Sequence, residues 1–308
     1  MSAEKEKSEA QLLEELLDKL GRFVLKGGTV FRGFREELLG DIEQRLEQAT
    51  SSIGESEIDP FGMDPQALKR TALGAVFLYK LYFRCITDGL DNIPDGPVIL
   101  VSNHAGQIPI DGVMITASLV VDKTPPRYAR SLVDRWVPSL PYVSTFYSRV
   151  GMAVGTIENA ERLLTRGEVL LVFPEGMEAI TKTIDRAYQL EPFSLGFMRL
   201  ALSSGAPIVP VSVVGSEEQY PTLYNVKSLA RLLGLPAMPI WAQMLIPVLG
   251  MLPLPVRYHI NLSSPPAAVC QCARYATPLC AGGSGTVPML SGGWPGRASL
   301  SLPPSVPP

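Results

Sequence analysis

The chain has 308 residues, of which 46% are hydrophobic and 19% are charged. That size and apolar content predict one large α/β domain with appendages. The formal net charge of −3 gives no overall electrostatic footprint for nucleic acid, so we expect no nucleic-acid partner. The four cysteines predict no disulfide framework, and the charged first residues, MSAEKEKSEA, lack the apolar core of a secretory signal.

Residues 1–66 are predicted to form a helical amino-terminal region that ends in a polar linker. Two apolar stripes at helical spacing predict amphipathic helices. The first stripe is Leu12, Leu13, Leu16, Leu17 and Leu20, and the second is Phe34, Leu38, Leu39, Ile42 and Leu46. We interpret these helices as packing on the body of the protein or on a partner. Binding to a membrane surface is the alternative, although the polar face is more acidic than a lipid-binding helix prefers.

The segment Gln66–Ile86 is apolar and aromatic, but Lys80 and Arg84 interrupt it. It is too short and too interrupted to span a membrane. The pattern predicts either a core helix or a helix that lies against lipid with its basic side chains reaching water.

An alternation of strands and helices follows, and we predict one domain over residues 67–262. Predicted strands cover residues 97–102, 127–131, 168–173 and 208–214. Predicted helices follow Asp111, a candidate N-cap, and cover residues 159–166 and 193–204, the last two ended by glycines. Short apolar strands that alternate with helices predict an α/β fold with a mainly parallel central sheet covered by helices.

Two later segments break this alternation. Residues 232–256 carry no charge but contain five prolines, so we expect an apolar surface loop that docks on a membrane or lines an acyl channel, or else a core segment. Residues 263–308 contain no Asp, Glu or Lys and show no periodicity. That composition predicts a disordered tail, and a frameshift in the coding sequence is a possible origin of it.

The run VSNHAGQIPIDG, directly after the first strand of the alternation, holds the best candidate for catalysis. His104 is one of two histidines in the chain, and Asp111 follows it in the same turn. A neutral imidazole is a base near physiological pH, and a carboxylate beside it can hold its tautomer. We predict His104 as a general base and Asp111 as its partner. The other histidine, His259, lies in a strand pattern, RYHINL, and is predicted to be structural.

A second motif, Phe173-Pro174-Glu175-Gly176, ends the strand over residues 168–173. If the two strands are parallel, this motif reaches the same sheet edge as His104. The Val-Pro-Val strand at residues 209–211 follows the next helix.

Together these motifs resemble those of the glycerolipid acyltransferases, the 1-acylglycerol-3-phosphate acyltransferase-like family, over roughly residues 80–262. The resemblance implies acyl transfer from acyl-CoA or acyl-carrier protein, as co-substrate, to a lipid hydroxyl, with no further cofactor and no metal. It implies His104 and Asp111 as catalytic residues. It also implies a substrate site that includes Asn103, Gly106, Phe173, Pro174, Glu175 and Gly176. Backbone N–H groups near Ala105 and Gly106 are candidate oxyanion donors.

The sequence departs from the family pattern in ways that bear on the acceptor. Six residues, rather than the usual four, separate His104 from Asp111, which indicates an atypical branch. The two arginines that meet an acceptor phosphate in the family have no counterparts here. Lys182 and Arg186 are candidate substitutes; otherwise the acceptor is a neutral acylglycerol.

The resemblance also implies amino-terminal helices against a membrane, so we expect a peripheral or monotopic protein on the cytoplasmic face, with membrane lipids as partners. One alternative is a catalytically inactive lipid-binding or scaffold protein of the same fold. A hydrolase is disfavoured, because no Gly-x-Ser-x-Gly motif is present.

Overall fold

The computed structural model describes residues 40–51, 58–106, 108–226, 230, 238–245, 250 and 252–265. The leucine stripe at residues 12–20 and most of the predicted tail, residues 266–308, lie outside the described residues. Parts of the apolar segment at residues 232–256 lie outside them as well.

A seven-stranded sheet in the order β1-β9-β6-β2-β5-β3-β4 forms the centre of the domain. Its strands are β1 (Ile86–Asp88), β2 (Val98–Ser102), β3 (Ala129–Val133), β4 (Ala153–Val154), β5 (Val169–Val172), β6 (Ile208–Val214) and β9 (His259–Leu262). The five strands from β6 to β4 are mutually parallel, and β9 pairs antiparallel with β6 and parallel with β1. A separate antiparallel pair joins β7 (Thr222–Asn225) and β8 (Pro239–Trp241). The predicted, mainly parallel sheet is therefore confirmed.

Helices cover both faces of this sheet. They are α1 (described over residues 40–49), α2 (Pro65–Phe77), α3 (Ile110–Val121), α4 (Val143–Arg149), α5 (Ile157–Thr165), α6 (Met177–Ile180) and α7 (Gly196–Ser204). Alternate residues of β2 enter different cores: Val98 and Leu100 pack with α3, whereas Ile99 and Val101 pack with α5 and α7. This alternation explains why β2 is apolar from Val98 to Val101.

The described part of α1 packs on the body of the protein. Ile42 and Leu46 are buried against Ala72 and Val76 of α2 and against Val120 of α3. Helix α2 begins after its N-cap Asp64 and continues into a π-helical turn, Leu78–Tyr82. Among the described residues, no helix has the length and apolar character needed to cross a bilayer.

The boundary of α3 differs from the prediction. The helix begins at Ile110, with Pro109 at the N-cap, so Asp111 lies in the first turn rather than capping it. Its carboxylate reaches only the adjacent Gly112 N–H, at 2.8 Å, within that turn. The other oxygen, Oδ2, is free to contact residues outside the helix.

Candidate active site

His104 and Asp111 meet at the carboxyl end of β2. Nδ1 of His104 lies 2.6 Å from Oδ2 of Asp111, and the Asp111 side chain is fully buried while that of His104 is 13% exposed. The prediction that these two residues lie close together is thus matched by the geometry. The longer spacing between them therefore does not separate the side chains.

The Asp111 carboxylate determines which nitrogen of His104 can act. Oδ2 accepts from the Ala105 N–H at 3.1 Å as well as lying against Nδ1 of His104. An ionised carboxylate only accepts hydrogen bonds, so this contact favours the proton of a neutral imidazole on Nδ1, the tautomer in which Nε2 has the lone pair. Because the Ala105 N–H is already engaged by Asp111, the expectation that it serves as a free oxyanion donor is not supported.

Glu175 supports the backbone of the same turn. Its Oε1 accepts the His104 N–H at 2.9 Å, and its Oε2 accepts the Glu191 N–H at 2.7 Å. The side chain is only 4% exposed, and both oxygens are in use. The predicted convergence of the two motifs at one sheet edge is therefore seen, with Glu175 tying the His104 turn to the segment that contains Glu191.

Phe173 contacts the His104 ring, and Asn103 binds the neighbouring strand just before it. The Phe173 ring stacks on the imidazole, with ring centroids 4.2 Å apart and an interplanar angle of 28°. The Asn103 amide donates to the Val213 carbonyl at 2.9 Å and accepts the Val213 N–H at 2.7 Å. Asn103 therefore acts as one more residue of sheet pairing at the end of β2.

The remaining residues of the second motif shape the space beside the imidazole. The Pro174 carbonyl accepts the Ser194 N–H at 2.9 Å. Gly176 has a φ of +62°, a conformation that favours glycine, and it lets the chain turn into α6. Both residues line the cavity described below.

The two candidate cations after this motif both have carboxylate partners. Lys182 Nζ lies 2.6 Å from Glu217 Oε1 and also donates to the Gln189 carbonyl, and its side chain is 5% exposed. Arg186 pairs with Glu191 at 2.8 Å, and its side chain is 51% exposed. Arg130, in β3, is fully buried and bound to Asp59 at 2.7 Å.

An apolar cavity of about 450 Å³ opens beside His104. Its wall includes Trp136, Val137, Leu140, Phe173, Phe197 and Leu200. A second cavity of about 450 Å³ lies between α1, α2 and α3. The two cavities share the wall residues Pro109, Gly112, Ser131, Tyr147 and Met152.

Part of this chain is similar to known proteins. Residues 84–214 match the family model described as Acyltransferase. This part of the chain is therefore similar to the acyltransferase family. That matched range contains His104, Asp111 and the whole of the second motif.

Three proteins with similar sequences carry different descriptions. An uncharacterized protein of Mycobacterium tuberculosis is 38% identical over 234 residues, which cover 73% of this chain and 63% of that protein. The "DGAT1/2-independent enzyme synthesizing storage lipids" of Gallus gallus is 26% identical, covering 56% of this chain and 50% of that protein. A "probable 1-acyl-sn-glycerol-3-phosphate acyltransferase" of Mycoplasma pneumoniae is 26% identical, covering 47% and 54%. The chain thus spans less than two thirds of the length of each of these relatives.

Sequence reasoning missed the residues that approach the His104 turn from the far side. Gly106 packs against Ser216 and Gln219, which follow the carboxyl end of β6. The position of that strand end was available in the sequence, because β6 is predicted with its observed bounds. The contact itself depends on the order of strands in the sheet, which the sequence pattern does not specify.

Proposed function

We propose that this chain transfers a fatty acyl group from acyl-CoA or acyl-carrier protein to a hydroxyl of a glycerolipid. The observation that carries the proposal is the buried His104–Asp111 pair, with a 2.6 Å contact, beside an apolar cavity of about 450 Å³. A base oriented by a carboxylate suits activation of a hydroxyl, and a cavity of this size is typical of ligand sites. A purely lipid-binding protein would need the cavity but not the oriented base.

In the proposed reaction, Nε2 of His104 takes the proton from the acceptor hydroxyl as that oxygen attacks the thioester carbonyl. The tetrahedral intermediate collapses, the carbon–sulfur bond breaks, and the imidazolium returns the proton to the thiolate that leaves. Asp111 stabilises the imidazolium while it exists, as the carboxylate does in hydrolase triads. The substrate supplies the nucleophile, so the reaction requires no serine and no metal or other cofactor.

The acyl chain is proposed to occupy the apolar cavity beside His104. Phe173 stacks on the imidazole and also lines this cavity, so a chain bound there lies next to the base. The second cavity, behind the shared wall that includes Gly112 and Tyr147, offers further apolar space.

A neutral acylglycerol is the proposed acceptor. Lys182 and Arg186 are the first two cations after the second motif, and each is paired with a carboxylate. A phosphorylated acceptor would have to displace those partners. The printed names of the relatives point in both directions, since one names storage lipids and another names a phosphorylated acceptor.

The test is to supply the purified chain with one radiolabelled acyl-CoA and, in parallel, with monoacylglycerol, diacylglycerol or lysophosphatidate. We expect labelled product from a neutral acceptor, and its loss in His104→Ala. The matched control is His259→Ala, since the second histidine is exposed on β9 and should leave the rate unchanged. Equal turnover by His104→Ala and wild type would reject the base, and strict preference for lysophosphatidate would reject the neutral acceptor.

We further propose that the protein works on membrane lipids as a peripheral or monotopic protein at the cytoplasmic face. Support comes from one surface, here called the basic apolar surface, formed by residues 77–84 and 252–257. Phe77, Leu81, Leu252 and Leu254 are 40–56% exposed there. The Tyr82 hydroxyl donates to the Pro253 carbonyl at 2.6 Å, which holds the two segments together.

The charges of the basic apolar surface suit anionic lipid. Lys80, Arg84 and Arg257 are exposed around its apolar side chains. Of these three, only Lys80 has a close carboxylate partner within the described part of the chain, namely Asp122. Basic residues that flank exposed apolar side chains are typical of proteins that lie on a bilayer.

A further inference from the structure

One buried amide behind the catalytic turn has an unused hydrogen-bond donor. Gln219 is fully buried, and among the described residues its Nε2 has no hydrogen-bond partner. A buried donor without a partner is uncommon in a native structure, because its lost hydration is not replaced. Such a group calls for an explanation.

The orientation of this amide is fixed by its neighbour. The Tyr258 hydroxyl, which is also fully buried, donates to Gln219 Oε1 at 2.9 Å. Burial raises the pKa of Tyr258 well above its ordinary value, so the hydroxyl keeps its proton at any working pH. In the structure the oxygen of the Gln219 amide faces the Tyr258 hydroxyl, and the NH₂ group faces the other way.

The NH₂ group faces Gly106, two residues after His104. A Cβ atom built on Gly106 would lie only 2.3 Å from Gln219 Nε2, and the φ of Gly106 is +84°. Only glycine allows the turn to approach the amide this closely. Two backbone N–H groups of the turn already have acceptors, since the His104 N–H binds Glu175 and the Ala105 N–H binds Asp111.

We propose that Gln219 is a positioning residue of the acyl-transfer reaction, whose free N–H binds a main-chain carbonyl of the turn 104–106 when substrate is bound. The inference rests on the function proposed above. Hydrogen bonds at active sites are often long or misaligned without substrate and shorten in the complex. A donor left without a partner in the free protein would favour the substrate-bound position of the turn, and His104 with it.

The main test removes the donor without leaving a buried group unpaired. In the double variant Gln219→Leu/Tyr258→Phe, both the amide and the hydroxyl that binds it are replaced by apolar groups of similar shape. We expect kcat to fall about tenfold, as for the loss of one hydrogen bond in the transition state, with KM changed less than about twofold. The midpoint of thermal unfolding should stay equal or rise, because an unpaired buried donor is gone.

The matched control is Ser216→Ala. Ser216 is fully buried, packs on Gly106 through its carbonyl, and has a hydroxyl without a partner among the described residues. Its removal should leave kcat unchanged and should not lower the unfolding midpoint. A wild-type kcat in the double variant would overturn the proposal and make Gln219 a packing defect only.

A second variant covers the case in which the double variant does not fold. Gln219→Glu keeps the size and the acceptor for Tyr258 but replaces the donor with an acceptor. Its kcat relative to wild type should rise as pH falls and the carboxyl becomes a donor again; a ratio independent of pH would contradict the proposal. If wild type itself transfers no acyl group, the proposed function fails. If wild type is active and His104→Ala is not, the outcome for Gln219 stands alone.

Discussion

The imidazole of His104 has only one nitrogen free for chemistry, because Asp111 occupies the other at 2.6 Å. The same carboxylate holds Ala105 and Gly112, so it organises the turn and the ring together. Any change to Asp111 therefore acts first on the tautomer of His104 and second on the backbone of the turn.

For Asp111→Asn we expect a fall in kcat of about a thousandfold or more, as in other His–Asp pairs. The NH₂ group of the new asparagine has to face either a backbone N–H or Nδ1 of His104, all of which contact the carboxylate in the wild type. If it faces Nδ1, that nitrogen has to accept, and the ring proton moves to Nε2. The measurement is kcat on folded protein, with far-UV circular dichroism as the check on folding. A variant that is folded and loses less than about tenfold would show that Asp111 does not fix the tautomer.

At this scale the sequence was informative about residue identity and less so about contacts. His104, Asp111 and Glu175 were predicted at one sheet edge because parallel strands end on the same side. The engagement of the Ala105 N–H by Asp111 could not be predicted, since it depends on α3 beginning two residues earlier than the N-cap pattern indicated.

Among the secondary-structure elements, the buried strands were the easiest to predict. Strand β6 has its predicted bounds, whereas β3 begins at Ala129 rather than at residue 127. Arg127 lies outside the strand, where its backbone N–H donates to the Leu119 carbonyl at 3.1 Å and its guanidinium binds the carbonyls of Pro94, Gly96 and Gly167. The antiparallel pairing of β9 with β6 was not predicted either, because strand order is set by tertiary packing and not by local pattern.

The element that carries the clearest surface prediction is the π-helical turn after α2, within the basic apolar surface. Leu81→Ser/Leu254→Ser should weaken co-sedimentation of the full chain with vesicles of phosphatidylcholine and phosphatidylglycerol by about tenfold or more, because exposed apolar area is lost. Arg84→Glu/Arg257→Glu should remove the preference for the anionic vesicles and its dependence on salt.

The control for this surface is Leu202→Ser/Leu223→Ser, since both leucines are exposed elsewhere, on α7 and β7. It should bind vesicles as wild type does. Equal loss of vesicle binding in the control and in the test pair would indicate non-specific hydrophobic adsorption and not a docking surface. No loss of binding in either pair would reject the surface.

The whole molecule should lose stability in alkali. Burial raises the pKa of Cys85 to about 12 and raises the pKa values of Tyr79, Tyr128 and Tyr258 well above their ordinary range. Unfolded cysteine and tyrosine ionise near about 8.5 and 10. Folding keeps these groups neutral, so their contribution is fully present below the unfolded pKa and is lost as pH rises towards the folded pKa.

We therefore expect the free energy of unfolding in urea to be level near pH 7.5 and to fall from about pH 9 upward. In Cys85→Ala, the first part of this fall should be shallower, while the tyrosine part remains. A free energy that stays constant between about pH 8 and 10.5 would contradict the assignment of these groups as buried and neutral.

The His104 turn is bound from both strands that neighbour β2. The Asn103 amide pairs with Val213 on β6, and the Glu175 carboxylate, which follows β5, accepts the His104 N–H. The turn is consequently tied to the two strands that flank β2 in the sheet. In the proposed reaction, a base tied to the sheet in this way has only the small shift towards Gln219 left to make when substrate binds, so most of its orientation is set before the chemistry begins.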